Sequence, residues 1–185
     1  MRPLPPALPT LTAARVRLRP YTLADAPELQ RLAGDRRVAE MTLHIPHPYP
    51  DGAAEAFIGS HAEMYASGRG LPYAIVNTAD ALIGGMGLEF DARENEAELG
   101  YWIAHEHWGK GYAGEAGVAL LEFVFETLRV DRVHARHIVR NPASGRVMEK
   151  LGMHFVRTEH GLPWRDGARE DFAFRVITRQ EWNAR

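Results

Sequence analysis

The chain of 185 residues contains no cysteine. That excludes disulfides, a thiolate zinc site and a cysteine nucleophile. Lysine is nearly missing as well, with Lys110 and Lys150 standing against 20 arginines. Codon usage in a GC-rich coding sequence accounts for the scarcity; the sharper reading is that the two lysines sit where lysine has a role. No apolar run approaches the roughly 18 residues that a membrane span needs. Neither charge dominates, because 22 basic and 24 acidic residues leave a formal net charge of −2. A nucleic-acid-binding protein needs a basic face, so that class is disfavoured. Met1 to Pro9 is too rich in proline to form the apolar helix of a signal peptide.

What is present is ordinary globular composition, 45% hydrophobic and 25% charged. We expect one domain over residues 15–185, a flexible proline-rich lead-in over 1–14, and a soluble, cytoplasmic protein. The pattern predicts strand, helices, strands, helix, strand, helix, strands. Val16 to Arg19 alternates like a strand, and a helix starts at Thr22–Asp25 and closes at Gly34. Asp51 is placed to cap a second helix whose face is Ala54, Phe57, Ile58, His61, Ala62 and Tyr65. Tyr73–Val76, Leu82–Phe90 and Ala97–Ile103 read as antiparallel strands joined by short polar turns. A long amphipathic helix is predicted over Gly111–Leu128, then a strand over Val133–Val139. Asn141-Pro142 opens a helix that Gly152 ends, strands follow over His154–Thr158 and Asp171–Ile177, and Thr178 to Glu181 is a capping box. The class is a mixed α/β sheet with helices packed on it.

The richest stretch is Glu98-Leu99-Gly100-Tyr101-Trp102-Ile103, a short loop, then Gly109-Lys110-Gly111-Tyr112-Ala113-Gly114. A strand feeds a glycine-rich turn that opens directly into a helix. Inward-turned N–H groups and the positive helix end together suit phosphate oxygens. Gly109-x-Gly111-x-x-Gly114 matches the dinucleotide fingerprint literally. The preceding strands are antiparallel, however, and Asp131 lies before the next strand rather than at its end, so NAD fits poorly. No Gly-Lys-Ser/Thr occurs, so an ATP-type P-loop also fails.

The pyrophosphate of CoA is the remaining candidate, and here the sequence resembles the GNAT superfamily of N-acetyltransferases. Their loop pattern is Gln/Arg-x-x-Gly-x-Gly/Ala. Trp108-Gly109-Lys110-Gly111-Tyr112-Ala113 matches its last two fixed positions and departs at the first. That departure is similar to the RimJ/RimL-like branch of ribosomal-protein alanine N-acetyltransferases. Asn141-Pro142-Ala143-Ser144 and Glu149-Lys150-Leu151-Gly152-Met153 resemble a second block of that branch, with Met153 for the usual Phe. Arg17 to Pro20, Asp171-Phe172 and Glu181-Trp182 also look like this branch, so the resemblance spans residues 15 to 182. It implies the GNAT fold, a single mixed and mostly antiparallel sheet flanked by helices, with acetyl-CoA as co-substrate and no metal. It implies cofactor contacts at Lys110, Gly111, Ala113 and Gly114, pantetheine along the strand edge at Trp102 and Ile103, and further contacts from Asn141 and Ser144.

Moving an acetyl group from a thioester to an amine needs a neutral amine and a protonated leaving thiol. Direct attack needs no covalent enzyme intermediate, which suits a chain without cysteine. An α-amine, with a pKa of about 8, is far easier to deprotonate than a lysine amine at about 10.4. Glu98 shares a strand face with Gly100 and Trp102, and the resemblance places an acidic base there; pairing with an arginine is the competing reading. Many acetyltransferases of the superfamily protonate the thiolate from a tyrosine of this helix, a slot held here by Met148, and the resemblance to the RimJ/RimL-like branch implies Ser144 as the candidate acid instead. A first-turn serine that only satisfies helix N–H groups is the alternative. Asn141 should cap the same helix. The pairs His105/His107 and His134/His137 lack metal-site spacing, while His44 and His47 could line an acceptor pocket. Acceptor choice is expected in the first two helices, Thr42 to Pro50 and Gly161 to Arg169. The acceptor is a protein N-terminus or a small amine, a homodimer is compatible with the resemblance, and neither nucleic acid nor membrane is expected. A non-catalytic acyl-CoA-binding module is the alternative reading of the same motifs.

Overall fold

A computed structural model describes all 185 residues. Eight strands form one sheet: β1 (Leu11–Thr12), β2 (Val16–Pro20), β3 (Gly70–Asn77), β4 (Leu82–Asp91), β5 (Glu96–Ile103), β6 (Arg132–Ile138), β7 (His154–Pro163) and β8 (Arg169–Thr178). Their spatial order is β1-β2-β3-β4-β5-β6-β8-β7, and every pairing is antiparallel except β5 with β6. A parallel pair cannot be closed by a hairpin and needs a crossover. Helix α4 (Tyr112–Glu122), continued by a π-helical stretch Phe123–Leu128, supplies it. Arg129 ends that run in the left-handed region at φ 58°.

Helix α4 and α5 (Pro142–Lys150) bury the larger core against one sheet face, with Leu120, Leu121, Phe125, Met148 and Leu151 against Leu18, Ile75, Ile83, Leu99 and Val133. Gly117 permits the contact between these helices, since a Cβ there would lie 2.7 Å from Leu151 Cδ1. The opposite face carries α1 (Ala26–Ala33) and α3 (Ala53–Ala66), which pack Leu29, Leu32, Ala54 and Ile58 on Ala74 and Leu82. A four-residue helix α2 (Arg36–Ala39) lies between them, and α6 (Arg179–Asn183) ends the chain on its capping box.

Several expectations are corrected. Asp51 does not cap α3; it accepts from Gln30 Nε2 at 3.1 Å, and Gly52 at φ 77° takes the cap position. Phe57 stays substantially exposed rather than entering the core. Residues 1–14, expected as a free lead-in, are docked: Arg2 N–H donates to Leu128 O, Tyr65 OH to Pro5 O, and Leu11–Thr12 pair with Arg17–Leu18. Leu4, Leu8 and Leu11 pack against the larger core, so this segment has apolar surface of its own to bury. The second half of the sheet is longer than its alternation suggested, and most of Gly161–Arg169 closes the β7–β8 hairpin.

Candidate active site

The parallel contact between β5 and β6 is short. Only Glu96, Ala97 and Glu98 of β5 pair with Arg132, Val133 and His134. Beyond Glu98 the strands diverge, so the β6-facing edge of Leu99 to Ile103 has no strand partner. The mouth of this wedge opens toward the start of α4 on one side and the start of α5 on the other.

At α4, Gly109 and Gly111 adopt φ of 74° and 84°, the left-handed region that glycine enters without steric cost. No side chain caps this helix, and its first backbone bond runs from Glu115 N–H to Gly111 O at 3.2 Å. The N–H groups of Tyr112, Ala113 and Gly114 are therefore left for an external acceptor. A Cβ at Gly109 or Gly114 would meet nothing within 4 Å, so the turn borders open space. These features fit the pyrophosphate of CoA: unpaired donors, a helix N-terminus and room for the oxygens. Lys110 and Lys150 are both exposed.

Two side chains brace the turn. Arg15 donates from Nη2 to Lys110 O at 3.0 Å, pairs through Nε with Glu115, and stacks over the Tyr112 ring at 5.1 Å. It thereby ties the segment before β2 to the glycine turn. Trp108, the position that departs from the family pattern, donates from Nε1 to Ile103 O at 2.7 Å and packs on His105. Its indole pins the loop to the end of β5 and uses one lone pair of the carbonyl expected to meet pantetheine.

At α5, Asn141 caps the helix as expected, its Oδ1 accepting from Ser144 N–H at 3.2 Å. Ser144 Oγ lies 2.7 Å from the hydroxyl of Tyr101, which reaches across from β5. Burial pushes the Tyr101 hydroxyl up to about 12, against the opposing pull of the Ser144 hydrogen bond and of Arg175. Met148 is fully buried in the core. Gly145 lets α5 settle on β6, since a Cβ there would lie 2.9 Å from His137 Nε2.

Glu98 and Trp102 point to the other face. Trp102 packs with Tyr21, and a Cβ on Gly85 would strike the Tyr21 hydroxyl at 2.2 Å and Trp102 Nε1 at 2.6 Å, so that glycine makes room for both. Glu98 is bound to Arg136, whose Nε and Nη2 approach Oε1 at 3.1 and 3.0 Å while Nη2 reaches Oε2 at 3.2 Å. Arg136 also faces Glu159 at 3.9 Å, and Glu159 pairs with Arg157, which makes an alternating row of four charges over β5, β6 and β7. A carboxylate has about four lone-pair positions, so this pairing leaves capacity for one more proton or water.

The segments expected to select the acceptor meet each other. Arg165 donates to Thr42 O at 2.7 Å and to Ile45 O, while Arg140 joins Glu40 O at 3.0 Å to Glu170 at 2.7 Å. His47 is occupied by Gly34 O at 3.1 Å. No group of three or more His, Cys, Asp and Glu side chains comes together as a metal cluster, and no helix is long and apolar enough to cross a membrane.

Residues 15–154 match the family model described as an acetyltransferase (GNAT) domain. The chain is 31% identical over 145 residues to the N-acetyltransferase p20 of Bacillus licheniformis, itself uncharacterized, covering 77% of this chain and 80% of that one. It is 27% identical over 183 residues to the uncharacterized N-acetyltransferase YnaD of Bacillus subtilis, covering 94% and 99%. The crystal structure of RimL, a ribosomal L7/L12 alpha-N-protein acetyltransferase in complex with coenzyme A, superposes with TM-score 0.85 at 16% identity, over 92% of this chain and 98% of that one. The protein belongs to the GNAT acetyltransferase family and is an acyltransferase with the GNAT fold.

Proposed function

We propose that the protein transfers the acetyl group of acetyl-CoA to a primary α-amine, the free N-terminus of a protein or peptide, in the cytoplasm. The carrying observation is the divergence of β5 and β6 immediately beside the uncapped start of α4. N–H groups of Lys110, Gly111, Ala113 and Gly114 would take the pyrophosphate. The free edge at Trp102 and Ile103 would take the pantetheine amides, with Asn141 and Ser144 at its far side. The thioester would then sit in the wedge, reachable by an amine entering from the face of Glu98, Gly100 and Trp102. Gly100 is exposed, and a Cβ there would touch nothing within 4 Å, which leaves that approach open.

In this reading Glu98, directly or through one water, takes the proton of the attacking amine. The amine nitrogen bonds to the acyl carbon, the carbon–sulfur bond breaks, and Ser144 gives a proton to the departing sulfur. An α-amine, with a reference pKa near 8, asks little of a carboxylate already engaged by Arg136. RimL, named for acetylation of a protein α-amine, shares the fold and supports this class of acceptor. A small amine is the other outcome of an acceptor panel.

The cofactor assignment is tested at Gly111. Gly111→Val places a β-branched residue at φ 84° and should turn the loop, lowering CoA affinity at least tenfold in calorimetry while the unfolding free energy from urea titration falls by about 1–2 kcal/mol. Gly111→Asn, more tolerant of that region, should lose less. Unchanged affinity in both variants removes the loop as the phosphate site.

A further inference from the structure

We propose that Tyr101 is the positioning residue for Ser144, donating its phenolic proton to Ser144 Oγ so that the serine proton faces the leaving sulfur. The inference rests on the reading of Ser144 as the group that protonates the thiolate.

Tyr101 has one proton and two acceptors within reach, Ser144 Oγ at 2.7 Å and Ser144 O at 3.1 Å. The shorter contact has the usual length of an O–H···O bond. The choice between them matters chemically. A phenol that donated to the carbonyl would leave its own lone pair to the serine proton, which would then point into the protein. A phenol that donates to Oγ leaves the serine proton free to turn outward. The phenolic oxygen is held in place, because its strand is paired to β4 at Met86 and its ring packs against the larger core. The partner is held equally well, because Asn141 fixes the Ser144 backbone. Both groups border the part of β5 that has no strand partner, where the thioester is placed.

The proton count closes. The amine loses one proton to Glu98 or water, and its nitrogen gains the acyl carbon. The sulfur keeps the electron pair of the broken bond and takes the Ser144 proton. The Tyr101 proton follows onto Ser144 Oγ, and the phenolate recovers one from solvent. A tyrosine hydroxyl is thus delivered from a strand to the start of α5, while Met148 of that helix is buried in core packing.

The test compares Tyr101→Phe, Ser144→Ala and the double variant with wild type, by thiol release from acetyl-CoA with the best amine of a panel. Tyr101→Phe should lower kcat at least tenfold, with the acetyl-CoA KM and the CoA affinity changed by less than about twofold and the urea midpoint preserved. The double variant should be no slower than Ser144→Ala, because Tyr101 acts through that serine. Wild-type kcat in Tyr101→Phe beside an impaired Ser144→Ala overturns the inference, as does a double variant that loses the product of the two effects. Wild-type kcat in Ser144→Ala overturns the proton-donor reading itself, and this inference with it.

Discussion

Glu98 stands under two demands, to close a row of charges and to accept a proton. Its pair with Arg136 is about two-fifths exposed on both sides, and exposed pairs contribute about 0–1 kcal/mol. The row alone therefore gives little reason for a carboxylate here. If Glu98 is the base, Glu98→Gln should lower kcat at least tenfold with little change in CoA affinity. Arg136→Met should act differently. It leaves the carboxylate in place and removes only the two nitrogens that orient it, so kcat should fall by less than in Glu98→Gln. Steady-state kinetics of the two variants check this, and unaltered turnover in Glu98→Gln would reduce Glu98 to a structural partner. Glu98 was legible because alternation puts it beside Gly100 and Trp102. Arg136 was not, since one arginine among 20 has no mark until the strands are set in register. Tyr101 lay hidden for a related reason: an alternating strand assigns it to the core face, and nothing local says that its hydroxyl crosses to α5.

Among the elements, the glycine turn and both helix starts were readable because each depends on neighbours in the chain, on glycine φ and on Asn-Pro capping. The hairpins were readable for the same reason. The wedge between β5 and β6 was not, because a parallel pairing that stops after three residues is decided by packing at a distance. Arg15 belongs to this second kind: it is 95 residues from the carbonyl it holds. Its guanidinium engages Lys110 O, in the middle of the glycine turn, at 3.0 Å. Arg15→Ala should raise the acetyl-CoA KM about three- to tenfold, with kcat nearly unchanged and stability lowered by about 1 kcal/mol at most, since the side chain is half exposed. Steady-state kinetics at a saturating amine would show it, and an unchanged KM would make the brace incidental.

For the molecule as a whole, the near balance of charge leaves one buried and two half-buried histidines to set the first response to acid. Burial holds His61 down to about 4, and lowers His134 and His137 as well. His61 packs edge-on against Phe57 at 4.4 Å and beside Tyr21 at 5.2 Å, and neither ring nitrogen has a partner. Above pH about 6.5 the folded and unfolded chains both carry it neutral, and it contributes no pH dependence. As pH falls from about 6.5 toward 4, only the unfolded chain takes up the proton, and stability drops by about 1.4 kcal/mol per unit for this group. Carboxylates held low by donors, Asp131 by the Asn95 amide and then Arg179, Asp25 by Arg19 and the Thr22 N–H, act in a lower window, withdrawing their contribution only as pH drops below the unfolded value near 4. His61→Phe keeps an aromatic ring in an apolar site and removes the titration. Between pH 8 and pH 5 the variant should therefore lose about 2 kcal/mol less than wild type in urea unfolding. Equal losses in the two proteins would mean that His61 titrates alike in the folded and unfolded chains, and that the response over this range comes from His134 and His137, which burial also lowers.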